Sequence, residues 1–312
     1  MSVLAVVSQM IVLAFGVVLG FVARKIGIMT DAFDGSLTRL VLDVTLPCMI
    51  LSSILCATAA PERSIVLEIL GLSFVVYGLV IIVAIIVPLL IRAPKSERGA
   101  YSFMITFSNV GFMGFPVLEV VFGSEAVLYG AIFNITFHIF VFTVGVLFVS
   151  GDQRPLQEKL LGSLNRLASP AVITSGLVMC LALIGVHDVP IIGEASKAMG
   201  NMTTPAAMLL IGSSLAKYAP REMVSNWRAF LVSAIRLLVV PALLLVVCRP
   251  FVPHSIVLGV MVVIMAMPVA TNGLMLSLRY EGNLKVMTQG IFISTIASIV
   301  TIPLVAMLVS LM

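Results

Sequence analysis

Ten runs of about twenty apolar residues limit what this chain can fold into. They lie near 4–23, 36–56, 66–91, 100–122, 126–149, 168–186, 192–216, 228–248, 254–278 and 285–311. Each is long enough to cross roughly 30 Å of hydrocarbon as a helix. The runs are continuous and do not alternate with period two, which argues against a membrane β-barrel. With 61% hydrophobic and 10% charged residues, the chain cannot cover a water-facing surface, since soluble domains carry about a quarter charged residues. The expected class is therefore an all-α polytopic membrane protein with the lipid bilayer as its solvent. The first run has no basic segment before it and is followed by "GFVARKIG", so it reads as a retained helix and not a signal peptide.

The basic residues fix an orientation. Loops after odd-numbered runs hold thirteen Lys and Arg, and loops after even-numbered runs hold three, Arg63, Lys197 and Arg249. The positive-inside rule then puts both termini on the external side of the cell (inner) membrane. The polar segment at 151–166 acts as a cytosolic linker between two five-helix halves, 1–150 and 167–312. With five spans per half, homologous halves must be inverted relative to one another. At an offset of about 159, "YGAIFNIT" (129–136) lies over "TQGIFIST" (288–295), and "NVGFMGFP" (109–116) lies over "PVATNGLM" (268–275). Earlier in each half, "TLPCMILSSIL" (45–55) resembles "TTPAAMLLIGSSLA" (203–216).

The fourth and ninth runs carry groups that a spanning helix ordinarily avoids. "FSNVGFMGFP" (107–116) holds Ser108, Asn109, Gly111, Gly114 and Pro116, and "AMPVATNG" (266–273) holds Pro268, Thr271, Asn272 and Gly273. Proline removes an amide donor and clashes with the preceding turn, and glycine weakens a helix by about 1 kcal/mol relative to alanine. Unwound backbone inside a membrane needs protein or a wet cavity beside it. Two such breaks at corresponding places of inverted halves point to a substrate site. Helices four and nine are thus expected to be broken, and inversion would cross the breaks as an X. The new helix N-termini carry unpaired amides and partial positive charge, which suit a carboxylate. The residues expected to bind substrate here are Ser108, Asn109, Gly111, Gly114, Pro268, Thr271 and Asn272.

Other polar residues within or beside the runs have competing readings. Arg39 and Asp43 are four apart on one helical face, either a neutralised pair or, for Asp43, a proton-coupling site. Glu119 and Glu125 flank the outer end of the fourth run and are expected to face water or headgroups. Arg236 is close enough to the inner end of the eighth run to snorkel. Asn134 and His138 share a face of the fifth run, with His138 expected to pack. Thr203, Thr204 and Pro205 mark a third kink. The four cysteines have no ligand spacing, so neither disulfide nor metal site is expected. No catalytic or cofactor-binding motif occurs; the chain reads as neither an enzyme nor a nucleic-acid binder.

"SNVGFMGFPVLEVVFG" (108–123), "TPAAMLLIGSSLA" (204–216) and "AMPVATNGLMLSLRYEGN" (266–283) resemble the auxin efflux carrier family in its short bacterial form. The resemblance covers essentially the whole chain. It implies two inverted five-helix repeats with crossed breaks, an architecture shared with the bile-acid sodium symporters. It further implies a scaffold of helices one, two, six and seven that forms a homodimer, with the other six helices moving. The Pro-Asn pair of plant members is met here by Ser108 and Asn109, and the ninth-helix proline by Pro268. Asn134 falls where the family places a polar group near the substrate. Relatives move small organic acids such as malate and malonate. The long cytosolic loop of the plant proteins is missing, which argues against auxin itself. The expected function is a secondary carrier of small organic anions. The alternatives are a sodium-coupled symporter, against which stands the lack of an acidic residue at either break, or a membrane ligand sensor.

Overall fold

The computed structural model describes residues 3–57, 61–150, 169–217, 220–252 and 254–310. The linker expected over 151–166 lies outside them. The described residues are helical throughout, with no strand. Their helices are α1 (Val3–Lys25), α2 (Asp31–Leu55), α3 (Arg63–Leu90), α4 (Lys95–Thr106), α5 (Val110–Phe122), α6 (Ser124–Val149) and α7 (Pro170–Ile184). There follow α8 (Pro190–Gly200), α9 (Thr203–Ala216), α10 (Pro220–Met223), α11 (Trp227–Cys248), α12 (Ser255–Met265), α13 (Asn272–Arg279) and α14 (Leu284–Ser310). Five of these, α2, α3, α6, α11 and α14, are long and apolar enough to cross a membrane unaided.

Local chemistry sets the boundaries. Thr30 accepts from the Phe33 amide at the start of α2, Ser169 from Val172 at α7, and Asn226 from Arg228 and Ala229 at α11, the usual role of a hydroxyl or amide at an N-cap. Pro170 and Pro190 open α7 and α8, where a missing amide costs nothing. Gly123, at φ 87°, divides α5 from α6. The kink expected at Thr203–Pro205 falls slightly earlier, at Asn201 and Met202 between α8 and α9.

Among the described residues, wide π-type turns occur within the helices at 41–45, 110–114, 141–145 and 235–239. No composition cue foretold them. Such turns add a residue to the helix and often mark functional sites.

α1 lies along α9, and α2 packs on α7 and α8. A charged cluster clamps the ends of α1, α2 and α9. Arg24 reaches Asp31 at 2.8 Å, Lys217 reaches Asp31 and Asp34 at 2.9 Å, and Ser213 donates to buried Asp34 at 2.7 Å. Partial burial pulls the Lys217 ammonium down, but the hydrogen bonds it donates to Asp34 and Asp31 more than offset this and hold it above 10.5. Its contribution is therefore complete below that ordinary value and is lost as pH rises through the higher folded one. Lys217→Met is expected to lower the melting temperature by roughly 2–4 °C at neutral pH. The difference should shrink in molar salt and in strong alkali; a melting series across both variables checks it.

Candidate functional site

The chain is interrupted at 107–109, between α4 and α5, and at 266–271, between α12 and α13. The two gaps lie side by side. The Asn109 amide donates to the Pro268 carbonyl at 2.8 Å, and the Ala270 amide donates to Phe107 at 3.0 Å. Ser108 and Val269 therefore face each other as a minimal antiparallel bridge. The Val269 amide donates to Ser294 Oγ on α14 at 3.1 Å. Backbone groups freed by the interruptions thus satisfy one another without water, as burial demands.

Each interruption leaves a helix N-terminus beside one cavity. Asn109 caps α5, its side-chain oxygen accepting from the Phe112 amide at 3.2 Å. That leaves the carboxamide NH2 as the group Asn109 can offer a ligand. α13 has no side-chain cap, and Thr271 and Asn272 at its start line the cavity. The cavity measures about 320 Å³. Asn134 on α6 adds a buried side-chain oxygen with no hydrogen-bond partner, a costly state unless a ligand or water completes it. Phe112, Phe137, Phe142 and Met275 supply an apolar wall, and no lysine or arginine lines the cavity among the described residues.

Of the residues expected to bind substrate, Ser108, Asn109, Gly111, Asn134, Thr271 and Asn272 border this one cavity. Two do not. Pro268 contributes its carbonyl to the bridge behind the lining, and Gly114 lies within α5, its amide donating to the Asn109 carbonyl at 3.0 Å. Asp43 is exposed on the cavity wall. No ion pair joins it to Arg39 among the described residues; a wide turn begins between them, at Val41.

His138 also lines the cavity, its Nδ1 2.9 Å from the Asn134 carbonyl. A packing role had been expected of it; its spacing from Asn134 was the signal available. Glu119, expected to face water or headgroups, is half-buried and accepts from Thr204 Oγ1 of α9 at 3.3 Å. Glu125 is exposed and accepts from Tyr129 at 2.6 Å.

Arg236 is the clearest correction. It does not snorkel: its residue is 0% exposed. Nε donates to the Met267 carbonyl at 3.3 Å and Nη1 to the Ile105 carbonyl at 2.9 Å. Both carbonyls were freed by the helix interruptions, and they hold the guanidinium in the protein interior more effectively than a distant interface can.

A family model described as "membrane transport protein" matches residues 5–306. The chain is 27% identical over 300 residues to an uncharacterized transporter of Methanocaldococcus jannaschii, covering 92% of this chain and 94% of the relative. It is 26% identical over 298 residues to an uncharacterized transporter of Methanothermobacter thermautotrophicus, covering 92% and 93% respectively.

Proposed function

From the premise that the chain belongs to the membrane transport protein family, that of the auxin efflux carriers, we propose that it is a secondary carrier of small organic anions. The carrying observation is the convergence of two helix N-termini, with Asn109, Thr271 and Asn272, on one cavity. Amide donors and partial positive charge at these ends favour a carboxylate. The apolar wall and the lack of lining lysine or arginine favour a weak acid with one carboxylate and an apolar body over a dicarboxylate.

We read the architecture as ten spans in two inverted repeats whose fourth and ninth helices cross. Contacts between equivalent residues support the inversion. Thr203 Oγ1 donates to Thr45 Oγ1 at 3.0 Å, and these threonines occupy matching places in the two halves. Asn109 and Pro268 match at an offset of 159 and are themselves hydrogen-bonded. Such self-pairing is what a two-fold axis through the site produces.

With both termini external, the cavity lies on the cytosolic side of the crossing, and the Glu119–Thr204 contact lies on the closed outer side. Transport then proceeds by alternating access, with a homodimer formed through helices one, two, six and seven in the cell membrane.

A melting screen of purified protein against mono- and dicarboxylates tests the reading. A specific ligand should stabilise the fold by about 2.7 kcal/mol at a hundredfold excess over its dissociation constant. Saturable stabilisation by a monocarboxylate, weaker for a dicarboxylate of similar size, is expected. Silence across the acids, with a response to amines or neutral solutes, would remove the anion assignment.

Asp43 sets a like charge beside the proposed ligand, at a cost on the order of 1 kcal/mol in a wet vestibule. Asp43→Asn is expected to tighten carboxylate binding several-fold. If Asp43 is also the proton-coupling group, the variant's transport loses its dependence on a proton gradient. Unchanged affinity and an unchanged gradient dependence would leave Asp43 without either role.

A further inference from the structure

We infer that Arg236 is the resident cation of the crossing, held where a coupling sodium ion would otherwise bind, so that the site works without sodium. The inference rests on the carrier reading and extends it to the coupling ion.

The two interruptions create helix C-termini as well as N-termini. α4 ends at Thr106 and α12 at Met265. Their last carbonyls have no partner within the helix and carry partial negative charge. In carriers with broken helices, such carbonyl ends are where a coupling cation binds. Here the Arg236 guanidinium already occupies them. It joins the Ile105 carbonyl, in the last turn of α4, to the Met267 carbonyl, just beyond α12. One rigid, permanently charged group therefore ties both broken helices together.

Nothing else neutralises it. Among the described residues, no carboxylate forms a salt bridge with Arg236. The nearby sulfur of Met265, 3.7 Å from Nη1, is a weak acceptor. A buried cation without a carboxylate is expensive; the carbonyl ends supply the compensation at Nε and Nη1, while Nη2 is buried without a hydrogen-bond partner. A sodium ion at those carbonyls would meet a guanidinium a few ångströms away and be repelled. The wide turn at 235–239 places Arg236 at this depth; without the extra residue, the positions beyond it would fall on a different face of α11.

The crossing is thus polarised. Its positive helix ends face the cavity, and its negative ends face Arg236. Arg236 is a positioning residue: it does not line the cavity, but it fixes the two gaps relative to one another.

The test is a melting comparison of wild type, Arg236→Lys and Arg236→Met in detergent, without substrate, in sodium chloride or choline chloride of equal ionic strength. Wild type is expected to melt at the same temperature in both salts. Arg236→Met should melt roughly 5 °C or more lower, and Arg236→Lys should recover much of that loss. Millimolar guanidinium should raise the melting temperature of Arg236→Met and leave wild type unmoved.

A saturable stabilisation of wild type by sodium overturns the inference, and this arm needs no variant to fold. Equal losses in the Lys and Met variants, or a Met variant as stable as wild type, also overturn it, because the charge would then be irrelevant. None of these readings uses a carboxylate. A failed carboxylate screen therefore removes the anion assignment and leaves the cation result standing.

Discussion

Replacing Gly212 with leucine is expected to abolish the folded protein. Gly212 on α9 lies directly against α1. A Cβ there would overlap the Val17 carbonyl oxygen, with the Phe21 amide nitrogen only 2.6 Å away. Gly20 on α1 mirrors it: a Cβ would overlap the Leu209 carbonyl oxygen and lie 2.7 Å from the Leu209 Cα. These neighbours are backbone atoms, so no rotamer change makes room. The helices must separate, and the dispersion contacts along the whole α1–α9 seam weaken with them.

In lipid, where no hydrophobic drive holds helices together, close backbone approach through small residues is a principal source of association. Gly212→Ala should already cost about 3 kcal/mol, and Gly212→Leu more than the fold can bear. Gly71→Ala and Gly176→Ala are the controls, because a Cβ at either meets nothing within 4 Å. They should melt within a few degrees of wild type. Size-exclusion profiles after a heat step check all four variants. Wild-type behaviour in Gly212→Leu would mean that α1 and α9 do not pack at this distance.

The same comparison shows which features the sequence carried. The interruptions at 107–109 and 266–271 were legible because the residues that break a helix, Pro268, Gly111 and the amides Asn109 and Asn272, are local. Their effect on the backbone does not depend on tertiary structure. The two breaks border one cavity, where sequence reasoning expected the site. Pro268 and Gly114 were assigned to the lining because backbone breaking and ligand contact look alike in sequence. Only packing separates the residue that opens the chain from the one that faces the opening.

Long-range partners were not legible. Arg236 lay near the end of an apolar run, and counting residues placed it within reach of the interface. Its true partners, the carbonyls of Ile105 and Met267, become available only because two distant helices break beside it. Glu119 finds Thr204 85 positions away, and the Asp34 clamp joins three helix ends. The π-type turns depend on how neighbouring helices crowd one another, which leaves no mark on composition.

Asn109 offers the sharpest separation of folding from binding, through two substitutions that weaken binding but differ in what they do to the cap. Its side-chain oxygen caps α5 by accepting from the Phe112 amide, and its backbone amide joins the bridge to Pro268. Asn109→Ala loses the cap, about 1 kcal/mol of stability, and also loses a donor to the ligand carboxylate, worth about 1.5–3 kcal/mol. Binding should weaken by roughly tenfold to a hundredfold, with a modest fall in melting temperature. Asn109→Asp keeps an oxygen at the cap and adds a negative charge at the positive end of α5, which offsets part of the cost of charging a buried position, so it should still fold. That same charge faces the proposed carboxylate. Like charges about 5 Å apart repel by roughly 3 kcal/mol at an effective dielectric constant of 20, more than a hundredfold in affinity. A protein that folds yet does not respond to acids is therefore the expected result for Asn109→Asp. Tighter binding of an amine by this variant would assign the cavity to a cation instead. Undiminished carboxylate binding would place the anion site away from the start of α5.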